Sequence, residues 1–168
     1  RCDLACWYCF FYAKPGERIY EPTLEQFRQM FRVLREEKPV ACNALQLTGG
    51  EPTLHPDFFR ILDMCRERPI RHLMLNTNGI RIAQDDRFLA GLADVKPTIY
   101  LQFDGFSDKG QELLRGKDLL YIKLKALDRL AQAVEQHQLF LDAGIHLAGV
   151  ELEVVAAQVL GAVHRGVG

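Results

Sequence analysis

Three strand-like runs recur along the chain, each followed by a turn rich in glycine or small polar residues and then by a helical stretch. This alternation limits the available folds more than any other feature. Residues 44–48 read as a strand ending in Gly49-Gly50, residues 72–76 as one running into Asn76-Thr77-Asn78-Gly79, and residues 98–103 as one running into Asp104-Gly105. Around them lie helical patterns. Leu24, Phe27, Met30, Phe31 and Leu34 recur at helical spacing between Pro22-Thr23 and Pro39, and Pro56-Asp57 opens a second helix with Phe58, Ile61, Leu62 and Cys65 on it. Ile80 to Ala93 reads as a third, and Asp118 fits the N-cap of a long helix that reaches about Asp142 and closes at Gly144. Strands about 25 to 28 residues apart with helices between them pair in parallel through right-handed crossovers. The architecture is therefore a doubly wound sheet or a (β/α) barrel, and in both of these ligands gather at the C-terminal ends of the strands. Loops 49–55, 76–79 and 104–117 are where function is expected.

Composition narrows the partners. With 168 residues, 48% of them apolar and 26% charged, one globular domain is expected. A formal charge of -1 lacks the basic excess of a nucleic-acid binder, so no nucleic-acid partner is expected. No stretch approaches the roughly 18 apolar residues of a membrane helix. Five cysteines, three of them at positions 2, 6 and 9, do not form a spaced disulfide framework, and they suggest metal or cluster ligation in a reducing cytoplasm.

Cys2-x3-Cys6-x2-Cys9 sets three thiols on one loop. A structural zinc site wants four protein ligands, and the other two cysteines are badly placed. Cys65 falls within a helix, and Cys42 precedes a strand whose start lies roughly 15 Å from the functional rim at about 3.3 Å per residue. A [4Fe-4S] cluster held by three cysteines keeps one iron open to another ligand. That reading stands beside zinc completed by a histidine and beside unligated thiols. Tyr100, Gln102 and Asp104 alternate on one face of their strand, a polar series that must be hydrogen-bonded or face a ligand cavity. His55, His72, His137, His146 and His164 show no metal-ligand spacing among themselves.

The cysteine spacing, with aromatic Tyr8 just before the third cysteine, resembles the radical SAM superfamily, and further signals follow in order. Leu47-Thr48-Gly49-Gly50-Glu51-Pro52 resembles the Gly-Gly-Glu motif of that family. The resemblance implies that Cys2, Cys6 and Cys9 hold a [4Fe-4S] cluster, that Tyr8 borders the adenine of S-adenosylmethionine, and that Gly49, Gly50 and Glu51 receive its ammonium. It also implies that Asn78 is aimed at the cofactor, that Gln102 contacts its ribose or methionyl carboxylate, and that Arg115 faces that carboxylate. Asp104 is either a cofactor contact or the turn residue of Asp104-Gly105. The wording Leu-Asn-Thr-Asn-Gly-Ile, Tyr-Leu-Gln-Phe-Asp-Gly and Leu-Arg-Gly-Lys-Asp-Leu is most similar to the branch with tetraether lipid synthases and pterin methylases.

The fold implied is a partial (β/α)6 TIM-like barrel. The whole chain, residues 1–168, is expected to be one incomplete core domain, truncated at both ends: the resemblance runs over 1–130, while 145–168 departs from it and Glu151 to His164 reads as a helix. The implied activity is reductive cleavage of S-adenosylmethionine and hydrogen abstraction by a 5′-deoxyadenosyl radical, with a flavodoxin or ferredoxin as reductant. A lipid chain or a pterin is the substrate expected from the branch, for carbon-carbon bond formation or methylation. Alternatives are a peptide- or small-molecule-modifying enzyme and a non-catalytic metal-binding remnant. A cytoplasmic location is expected, with membrane association through regions outside this segment or through a lipid substrate as the alternative.

Overall fold

The computed structural model describes residues 1–17, 20–67 and 69–137. Helix α1 spans Leu24–Glu36, with Thr23 and Gln26 forming a reciprocal capping box: the Gln26 amide donates to Thr23 Oγ1 and the Thr23 amide donates to Gln26 Oε1. Strand β1 (Ala44–Leu47) leads to a short 3-10 turn, Pro52–Leu54, then α2 (Phe58–Cys65) and β2 (His72–Thr77). Next come α3 (Ile80–Gln84), α4 (Asp86–Val95), β3 (Thr98–Leu101), α5 (Asp108–Arg115) and α6 (Leu120–His137). The expected termination of α6 near Asp142 and Gly144, and the helix expected over Glu151 to His164, lie outside the described residues.

Two expectations are corrected. The stretch from Ile80 to Ala93 is two helices rather than one, because Asp85 leaves helical geometry and its carboxylate accepts from the Phe88 amide, capping α4. The segment 104–117, expected as a loop, contains helix α5. Its buried residues are Gln111 and Arg115, so no apolar periodicity announces it.

The three strands form one parallel sheet in the order β1-β2-β3. Register aligns Leu45 with Leu73, Leu47 with Leu75, Leu75 with Ile99 and Thr77 with Leu101, so these side chains share one face. Against that face pack two apolar clusters. One joins Phe31 of α1 to Ile61 and Cys65 of α2, over Leu45, Leu47 and Leu73. The other joins Phe58, Leu75, Ile82, Phe88, Leu92, Ile99, Leu101, Ala126 and Leu130. A doubly wound sheet has helices on both faces. Here, among the described residues, every sheet side chain in both clusters comes from the same face. The opposite face presents Gln46, Met74, Asn76, Tyr100 and Gln102, with Gln102 Nε2 donating to Asn76 Oδ1 at 3.2 Å.

Candidate functional site

The cysteine loop lies across the C-terminal rim of the sheet. It turns back on itself twice, the Cys9 amide donating to the Cys6 carbonyl and the Tyr12 amide to the Cys9 carbonyl, and it is anchored by buried Leu4 and Ala13. Several contacts tie it to the strand-end loops. The Glu51 amide donates to the Arg1 carbonyl at 3.0 Å; Asn78 Nδ2 donates to Asp3 Oδ1 at 2.7 Å; Lys117 Nζ donates to the Asp3 carbonyl at 2.9 Å; and Arg115 Nη1 reaches Cys6 Sγ at 3.7 Å. Gly50 allows the first of these, since a Cβ there would run into the Arg1 carbonyl. Cys42, at the opposite end of β1, donates its thiol to the Ala44 carbonyl, and Cys65 is sealed in the core, its thiol pushed up to about 12 by burial.

Glu51 is buried beneath this loop. Its Oε1 accepts from the Thr53 amide and hydroxyl and from Thr77 Oγ1, and its Oε2 accepts from the Asn78 amide at 2.7 Å. Burial raises its pKa, while these four donors favour the charged form. The carboxylate expected at an ammonium is thus also the junction between the ends of β1 and β2. Asn78, likewise buried, uses Nδ2 on Asp3 and accepts the Ile80 amide on Oδ1, so in this structure its side chain organises the cysteine loop and the start of α3.

On the far side of the rim Arg115, besides reaching Cys6, links three more of the expected residues. Its guanidinium forks onto the Asp104 carboxylate through Nε and Nη2, donates from Nη1 to Gln102 Oε1 at 2.9 Å, and lies 5.3 Å from the centre of the Tyr8 ring. Both partners of the ion pair are largely buried. Burial works against the charged guanidinium, but the Asp104 carboxylate more than offsets it and raises the pKa. Removing one partner of a buried pair costs about 3 to 5 kcal/mol, because a charge is left unpaired. Asp104 is therefore an ion-pair partner and not merely a turn residue. Tyr8, whose hydroxyl donates to Asp104 Oδ1 at 3.4 Å, is pushed up to about 12, chiefly by burial.

The structure brings the cysteine loop, Tyr8, Gly50, Glu51, Asn78, Gln102, Asp104 and Arg115 to one rim. Gly49 sits on the same rim with φ +139°, a backbone conformation suited to glycine. Three functional candidates were missed. Thr53 and Thr77 hold Glu51, and Lys123 of α6, fully buried, donates to the Asn78 and Gln102 carbonyls. A signal for Lys123 existed: it falls in phase with buried Leu119, Ala126, Leu130 and Ala133 on the apolar face of its helix.

Residues 1–150 match the Radical SAM superfamily model, and the chain belongs to that superfamily. It is 40% identical over 129 residues to 7,8-dihydro-6-hydroxymethylpterin dimethyltransferase of Methanocaldococcus jannaschii, covering 76% of this chain and 25% of the relative. It is 32% identical over 152 residues to GTP 3',8-cyclase of Klebsiella pneumoniae subsp. pneumoniae, covering 82% and 46%. The solved structure of native anSMEcpe with bound AdoMet superposes with a TM-score of 0.63 at 26% identity, covering 79% of this chain and 38% of that one. The chain thus spans a quarter to a half of the relatives it matches.

The family uses a [4Fe-4S] cluster and S-adenosylmethionine, and the residues present fit both groups. Among the described residues no three His, Cys, Asp or Glu side chains converge on a point where one metal ion could sit. Three thiols on one loop at the rim, with Cys42 at the opposite end of β1 and Cys65 sealed in the core, are the donor set of a cluster that takes each thiolate on a different iron. The guanidinium beside Cys6 Sγ would supply an N–H donor to that sulfur once a cluster were held there.

Proposed function

We propose that this chain is the cofactor-binding core of a radical S-adenosylmethionine enzyme, and that its three-stranded sheet is an arc of a (β/α)6 barrel. The observation that carries the proposal is the bridge Arg115 makes between Cys6, Gln102, Asp104 and Tyr8, which joins the cysteine loop to the end of β3. Bound there, the cluster and S-adenosylmethionine would supply a 5′-deoxyadenosyl radical that takes a hydrogen atom from the substrate. The chain's own part is to hold and orient. Cys2, Cys6 and Cys9 hold the iron; burial raises the Cys2 thiol pKa, which disfavours its thiolate until metal takes the proton's place. Gly49 and Gly50 offer backbone against which a methionyl group can lie, Tyr8 offers a ring face to adenine, and Gln102 and Arg115 offer donors to a carboxylate. Glu51 and Asn78 keep these loops in register.

For the substrate, the likeness to a pterin dimethyltransferase supports methylation at a pterin-like ring more than coupling of lipid chains. A flavodoxin- or ferredoxin-type reductant would deliver the electron. Anaerobic reconstitution of the intact protein with iron and sulfide should give a near-stoichiometric [4Fe-4S] signal and 5′-deoxyadenosine from S-adenosylmethionine under reduction. Zinc bound in place of the cluster, with no cleavage, would reject the enzyme reading. Deuterium passing into 5′-deoxyadenosine from a labelled pterin, and not from a labelled lipid, would support the substrate assignment; the reverse would overturn it.

A further inference from the structure

Lys123 is the one fully buried cation among the described residues, and it is absent from the roles assigned above. It reaches from α6 to the rim, where Nζ donates to the Asn78 carbonyl at 2.5 Å and to the Gln102 carbonyl at 2.6 Å. These two carbonyls lie just past the ends of β2 and β3. Their residues lead directly into the site: the Asn78 side chain holds Asp3 between Cys2 and Leu4, and the Gln102 side chain accepts from Arg115. A buried ammonium is costly unless it is hydrogen-bonded and near opposite charge. Here Glu51 and Asp104 supply the opposite charge, Arg115 repels, and Cys6 is within the same field. A methionine would fill the same helical position without that cost, so packing alone does not explain a lysine there.

We propose that Lys123 is a positioning residue of the cofactor site. Its ammonium fixes the spacing of the β2 and β3 ends, and through Asn78 and Gln102 it sets where the cysteine loop and the Arg115 guanidinium stand; its charge offsets the Glu51 and Asp104 carboxylates. The proposal rests on the function proposed above.

The test uses the intact protein, reconstituted anaerobically, with Lys123→Met, Lys123→Gln and Lys123→Arg beside the parent. Iron content, cooperative unfolding, S-adenosylmethionine affinity and the midpoint potential of the cluster are measured on each. Lys123→Met should stay folded and load a cluster, yet bind S-adenosylmethionine roughly tenfold or more weakly, the scale of a lost charge-assisted bond, with the potential moved to a more negative value. Lys123→Gln keeps a neutral donor and should recover part of the affinity but not the potential; Lys123→Arg should keep the potential. If Lys123→Met does not fold, the Gln and Arg variants decide the matter by the same two readings. Folded, cluster-loaded variants matching the parent in affinity and potential would overturn the proposal. A parent that takes up neither cluster nor S-adenosylmethionine would instead overturn the function on which it rests.

Discussion

Glu51 shows how much a single side chain can be asked to do at this rim. The family resemblance implies a place for it at a cofactor ammonium, and the tertiary structure surrounds its carboxylate with Thr53, Thr77 and Asn78. A buried carboxylate is tolerable only when donors compensate its lost hydration. Thr77 carries a clear share, since its hydroxyl donates to Glu51 and accepts the Gly79 amide. Thr77→Val nearly keeps the shape and removes the donor to a charged acceptor, so it should destabilise the protein by about 1.5 to 3 kcal/mol. Urea denaturation reads this directly, and an unchanged midpoint would show that the hydroxyl contributes nothing to holding Glu51. None of this network was legible in the sequence. Thr53 is two positions away, but Thr77 and Asn78 stand 26 and 27 positions away, and a threonine at the end of a strand is indistinguishable there from a threonine chosen for its β preference.

At the level of elements, legibility followed apolar periodicity. Strands β1, β2 and β3 and helices α1, α2 and α6 each carry an apolar stripe of the right period; the strands, α1 and the starts of α2 and α6 fall within a few residues of where the pattern sets them, and the end expected for α6 lies outside the described residues. Helix α5 went unread because it buries a glutamine and an arginine. The break at Asp85 went unread because capping depends on one residue leaving helical geometry, which an apolar count does not register. The meeting of the cysteine loop with the end of β1 is equally an affair of elements, and it turns on Gly50. Gly50→Ala would press a methyl group against the Arg1 carbonyl, a backbone atom that moves only if the loop moves. The expected outcome is a folded sheet with the cysteine loop displaced: far-ultraviolet circular dichroism unchanged, and iron incorporation reduced well below that of the parent. Full incorporation in this variant would mean that the loop need not lie against Gly50.

For the whole molecule, the buried charge of Lys123 has a consequence for stability against pH. Burial, aided by repulsion from Arg115, lowers its pKa from 10.5 to about 8. Between these values the unfolded chain binds the proton more readily than the folded one, so the contribution of this group to stability rises with pH across that window and falls as pH drops through about 8. The slope is at most about 1.4 kcal/mol per pH unit. Urea denaturation at pH 8 and pH 10 should therefore show the parent gaining stability relative to Lys123→Met on going to the higher pH. A constant difference between the two proteins would mean that the lysine titrates together with its unfolded form.

The sequence by itself determined the alternation of strand and helix, the phase of the apolar stripes, the three-cysteine loop and the strand ends that carry polar residues. All are local patterns, set by side-chain type against a period of two or 3.6 residues. Only the tertiary structure decided that both apolar clusters draw on one face of the sheet, that Asp104 engages the Arg115 fork, that Asn78 holds Asp3, and that Lys123 reaches the ends of two strands. Those outcomes join residues as far apart as Asp3 and Asn78, 75 positions along the chain. They depend on which polar groups burial leaves with no partner except each other, and that is settled only when the chain closes on itself.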